Sequence, residues 1–226
     1  MARRDTPEIN AGSMADIAFL LLIFFLVTTT MDSDWGLARL LPPPPEEIDQ
    51  QDEIKIKERD VFVVLANAND QLLVEGEVLD VSQLRDKAKE FIANKARLET
   101  LPQWEDITVN SAKEKLSAIT AEDGQKKWKK RLEAAEILGS YTLTKQVISL
   151  QNDRGTSYDL YIRVQDELAR AYKELRNELS QDRLGLAYDF LEEKAKTDAE
   201  MKAKLTAIKT VYPQRISEAE PKDAQQ

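Results

Sequence analysis

A single carboxylate, Asp16, interrupts the most apolar stretch of the chain. Between Met14 and Met31, 14 of 18 residues are apolar, and the rest are Asp16 and the run Thr28, Thr29 and Thr30. A carboxylate in a membrane helix costs about 2.5–3.5 kcal/mol on insertion scales, and desolvation disfavours its charged form. Such a group is suited to exchanging a proton with a water-filled path and to pairing with a polar residue of a neighbouring helix. The bland alternative places Asp16 at the headgroup level, near the start of the segment, where a charge costs little. On a helix, Ser13, Leu20, Phe24 and Val27 share the face of Asp16, at i−3, i+4, i+8 and i+11. That face is the expected partner-facing or pore-facing surface. One helix cannot form a proton path alone, so the functional reading requires a second copy or a different subunit.

The element that must position Asp16 is a single helix, expected over residues 11–31 as a transmembrane span. Eighteen helical residues rise about 27 Å, close to a hydrocarbon core of about 30 Å. Arg3 and Arg4 precede the segment while Asp32 and Asp34 follow it, which orients residues 1–10 to the cytoplasm and the bulk of the chain outside it. A cleaved signal peptide is the competing reading, since the uninterrupted apolar run Ile17–Val27 has only 11 residues. Against it stand Asp5, Glu8 and Asp16 upstream, and the lack of a small-x-small cleavage pattern in Thr28–Asp34.

Past the helix, residues 32–60 read as a linker: the four prolines Pro42–Pro45 predict a stiff polyproline spacer, followed by a charged stretch of little periodicity. Residues 61–185 read as an α/β domain. Val61–Leu65 and Gln71–Val74 are expected strands around a turn at Asn67–Asp70, and Ser82 is the expected cap of a helix with Leu84, Ala88, Phe91 and Ile92 on one face. Gln146–Leu150 is a further strand, followed by a turn at Asp153–Gly155. A long helix then carries Leu160, Val164, Leu168, Ala171, Leu175 and Leu179. A charged, mostly helical insertion occupies about 93–145. The segment 186–226 reads as a helical tail, running to about Ile208 and disordered beyond Pro213. The expected class is α+β.

Composition excludes much else. The chain of 226 residues has no His and no Cys, which removes Ser-His-Asp and Cys-His nucleophilic sites, thiolate or imidazole zinc sites and disulfides. No metal site and no cofactor are expected, and an all-carboxylate site, metal-binding or catalytic, has no support in the sequence. An excess of 41 acids over 32 bases, net −9, argues against nucleic acid as a partner. The chain reads as not an enzyme.

The run Glu8-Ile9-Asn10, then Asp16, then Leu20 to Thr28 with Leu-Leu-Leu-Ile-Phe-Phe-Leu-Val-Thr, resembles the N-terminus of the ExbD/TolR family. There an Ile-Asn pair precedes the membrane Asp by the same spacing, and a Leu41-Pro42 pair suits the exit from the membrane. Ala11-Gly12-Ser13 stands where the family often has Val-Thr-Pro. The resemblance implies that Asp16 carries protons, the coupling ion, and that Ile9 and Asn10 form a motif at the cytoplasmic end. It implies a homodimer threaded through a pentamer of an ExbB/TolQ-like polytopic protein in the bacterial inner membrane. It also implies a periplasmic domain that passes force to a TonB-like protein for outer-membrane transport. A TolR-like or gliding-type motor subunit is the alternative output, and a secreted periplasmic binding protein the remoter one.

Overall fold

The computed structural model describes residues 11–29 and 57–218, which fall in two units, Met1–Glu53 and Ile54–Gln226. In the first unit, Ala11–Thr29 form a helix, α1. Its 19 residues rise about 28 Å, a little less than a hydrocarbon core of about 30 Å. The span expected over 11–31 is a helix at 11–29, but among the described residues no helix is long and apolar enough to cross a membrane. The expected cytoplasmic segment 1–10 and the proline spacer lie outside the described residues.

The second unit is built on a five-stranded sheet of order β3-β2-β1-β6-β7. β1 (Val61–Ala66) alternates strictly, burying Phe62, Val64 and Ala66. This is the period-2 pattern of a strand with one covered face. β1 turns at Asn67–Asp70 into β2 (Leu72–Val74), which pairs with it antiparallel. A third strand absent from the expectation, β3 (Glu77–Leu79), extends this meander. It is only three residues long and carries no buried side chain, too little for a periodicity to register.

α2 (Val81–Ala93) buries Leu84, Ala88, Phe91 and Ile92, the expected face. Its cap is Asp80, not Ser82: the Asp80 carboxylate accepts from the Ser82 N–H at 2.9 Å and from its hydroxyl at 2.6 Å. β6 (Val147–Asn152) runs parallel to β1 in full register from Val61↔Val147 to Ala66↔Asn152. α5 (Tyr158–Leu184) then returns across the sheet with Leu160, Val164, Leu168, Ala171 and Leu175 buried. α2, α5 and the covered face of the sheet make the first core. At the end of the β1–β6 pair two turns meet closely: a Cβ on Gly155 would lie 2.7 Å from that of Ala68. Thr156 there donates to the carbonyls of Ala66 and Asn67.

The insertion holds α3 (Val109–Ala118) and α4 (Glu122–Leu138), but also an antiparallel pair, β4 (Trp104–Ile107) and β5 (Tyr141–Thr144). Asn94, buried and left-handed at φ 38°, starts it by closing α2 and donating to the carbonyls of Leu98 and Pro102. The tail is two helices instead of one, α6 (Tyr188–Lys194) and α7 (Ala199–Val211), the second capped by Asp198. Order does not stop at Pro213, because β7 (Ile216–Glu218) pairs parallel with β6 and closes that side of the sheet. Insertion and tail share one core: Ile107, Trp128, Leu138, Tyr141 and Leu143 from the former, Tyr188, Leu191, Ile208 and Val211 from the latter.

The entry to β7 is pinned by buried polar groups. The fully buried Tyr172 hydroxyl donates to the Gln146 side-chain oxygen at 2.8 Å and accepts from the Arg215 N–H at 3.3 Å. The Gln146 amide donates in turn to the Pro213 carbonyl at 3.1 Å.

Candidate functional site

Asp16 is the only charged residue of α1. It lies past the first helical turn, beyond the few residues over which the helix dipole acts strongly. Leu20 and Phe24 follow it at i+4 and i+8 on the same face. Ser13 and Val27 belong to the same helical backbone, while Ile9 and Asn10 lie outside the described residues.

Apart from Ser13 at i−3, the residues around Asp16 from Met14 to Phe25 are apolar in every direction. Met14, Phe19 and Leu22 are each 61% exposed, and Leu20, Phe24 and Phe25 each 60%, although they point in different directions around the axis. A helix bearing apolar residues all round does not suit water; it belongs in a core or in lipid. The rings of Phe24 and Phe25 meet edge-on, 5.9 Å between centroids.

In the second unit the densest set of paired charges joins α2 to α5. Lys89 bridges Glu174 at 2.8 Å and Glu178 at 2.9 Å, and Arg85 reaches Glu174 at 3.0 Å. The hydrogen bond from Lys89 holds both carboxyls below the usual glutamate range. Each charge there is answered by its neighbour, so the set fastens two helices and is not a reactive centre. Among the described residues, no group of three or more acids is placed to hold a metal ion.

The residues singled out in the sequence all lie within positions 9–27, and of these Ser13, Asp16, Leu20, Phe24 and Val27 belong to α1. The sequence reading named nothing in the second unit, yet the fold gathers cations there from α4, α7 and the approach to β7. The run Lys126-Lys127-Trp128-Lys129-Lys130-Arg131 was the available signal, and it reads equally well as a solvated helix face.

No curated relative matches the chain. Residues 2–177 match the family described as biopolymer transport protein ExbD/TolR. That stretch takes in α1 with Asp16, strands β1 to β6, the insertion and most of α5, and leaves α6, α7 and β7 beyond it. With a family match over most of its length, this chain belongs to the ExbD/TolR family.

Proposed function

We propose that the chain is the single-helix subunit of a proton-driven motor in a bacterial cytoplasmic membrane, with Asp16 as the proton-carrying group. The observation that carries this reading is the lone acid on a helix whose stretch from Met14 to Phe25 is otherwise apolar around its whole circumference. A helix slightly shorter than the hydrocarbon core is accommodated by local thinning of the bilayer or by association with other helices, and association is what a proton path needs. The face of Asp16, Leu20 and Phe24 meets a second copy of the chain and an ExbB/TolQ-like ring, with residues 1–10 in the cytoplasm and the second unit in the periplasm. Loading and unloading the carboxylate shifts the dimer within the ring. One elementary charge crossing 100 mV is worth about 2.3 kcal/mol, so a few protons suffice to drive a bistable assembly. The periplasmic unit passes the movement to a TonB-like protein that opens outer-membrane transporters.

Asp16→Asn keeps the shape of the side chain and removes the exchangeable proton. The expected outcome is loss of energised uptake with unchanged expression and membrane insertion, and with a polytopic membrane protein still co-purifying with the intact chain. Normal uptake by this variant overturns the mechanism. A soluble product beginning near residue 31 overturns the anchor itself.

A further inference from the structure

We infer that the second unit binds a small polyanion bearing phosphoryl groups, in a cationic cleft where the insertion meets the C-terminal tail. The cleft has a volume of about 500 Å3, within the range of small-molecule sites. Its walls carry Lys126, Lys127, Lys130 and Arg131 from α4, Lys209 from α7 and Arg215 from the approach to β7, against one acid, Asp123. An adjoining cavity of about 550 Å3 shares Lys127, Arg131 and Arg215 and adds Lys57 and Lys145, with Asp60 and Glu105. In a chain of net charge −9, this gathering of positive charge is not a consequence of average composition.

The nearby acids are already engaged. Asp60 accepts from the Gln103 N–H at 2.7 Å. Glu105 pairs with Lys115 and stands 3.8 Å from Arg131, and Asp123 is 3.9 Å from Lys126. Lys209 is paired with Glu192 at 3.2 Å. Among the described residues this leaves Lys127, Lys130 and Arg215 with no carboxylate partner. The site is also held in advance. The Arg131 guanidinium lies over the Trp128 ring, 4.4 Å from its centroid. Arg215 is fixed through its N–H on the Tyr172 hydroxyl and through its side chain to the Thr144 carbonyl.

Burial, and then the nearness of Arg131 and Arg215, lower the Lys127 ammonium from its ordinary value, and burial followed by Arg131 does the same to Arg215. Like charges held together in a partly desolvated recess are relieved by a bound anion. Two guanidiniums favour oxyanions that accept paired hydrogen bonds, and several unanswered cations favour more than one negative charge, which together describe phosphoryl groups. Lys209 and Arg215 lie beyond the family-matched stretch 2–177, so the complete cleft belongs to this chain and its tail. The phosphoryl groups come either from a soluble compound or from anionic lipid headgroups.

The test is calorimetric titration of the full chain in neutral-lipid nanodiscs with tripolyphosphate. Saturable binding is expected, weakened about tenfold or more by Lys127→Gln combined with Arg215→Gln. It should be equally weakened by Lys127→Gln with Lys130→Gln, neither of which belongs to a hydrophobic core, which separates loss of the site from loss of the fold. Lys87→Gln on α2 should leave it unchanged. Absence of saturable binding, or equal binding by both paired variants and the unaltered chain, overturns the inference. Nanodiscs rich in phosphatidylglycerol identify the source: a weaker apparent affinity there means that headgroups occupy the cleft, and an unchanged one means a soluble phosphate compound does.

Discussion

Tyr172 shows how much can hang on one hydroxyl. It sits on α5, is fully buried, and connects Gln146 at the head of β6 with the backbone of Arg215 at the approach to β7. Tyr172→Phe keeps the ring and removes the only described donor to the Gln146 oxygen, leaving a buried acceptor unpaired, which costs about 1–3 kcal/mol. Denaturant unfolding should show a lower midpoint with an unchanged slope. None of this was legible beforehand, because a tyrosine on the apolar face of a helix announces a ring in the core and not the partner of its hydroxyl. Asp16 was legible for the opposite reason: a charge within an apolar run is anomalous wherever it ends up. The cap of α2 fell between the two. Both Asp80 and Ser82 are good cap residues, and only the backbone geometry places the helix start after Asp80.

Among the elements, those that bury one full face were readable: β1 by its unbroken run of apolar, largely β-branched residues, and α2 and α5 by apolar residues recurring at helical spacing. The strands that were missed, β3, β4, β5 and β7, have three or four residues each, and except for β3, which pairs with the adjoining β2, their partners are distant in sequence. The tail was read as helical, but its break into two helices and its closing strand were not, because its burial is supplied by the insertion, with α7 packing on α4 and β5. A chain ending after Gly185 loses α6, α7 and β7, and so uncovers Trp128, Leu138 and Tyr141. Such a truncation should turn the insertion into the first site of proteolytic cleavage while α2 and α5 remain protected, as limited digestion with peptide mapping would reveal. Cleavage no faster than in the full chain would mean that the insertion keeps its core without the tail.

Across the whole second unit, stability should depend on pH at the alkaline end. Burial pushes Tyr141 and Tyr188 up to about 12 from an ordinary value of 10.0. A raised phenol favours the folded state fully below the unfolded value, and the benefit is lost as pH climbs through the folded one. The unit should therefore lose stability between pH about 10 and about 12, by on the order of 2 kcal/mol per tyrosine, as read from unfolding midpoints across that range. No change in midpoint would mean that both phenols ionise as freely in the fold as in the unfolded chain. The position of β1 bears on a different property. It is the first strand after the segment that links the two units, and it lies in the middle of the sheet, bonded to β2 on one side and along all six residues to β6 on the other. A tug transmitted along that segment runs down the strand and loads those bonds in shear, so that they must yield together instead of unzipping singly. Load entering along that segment would thus meet a strand held along both of its edges, as a handle riveted on both sides is.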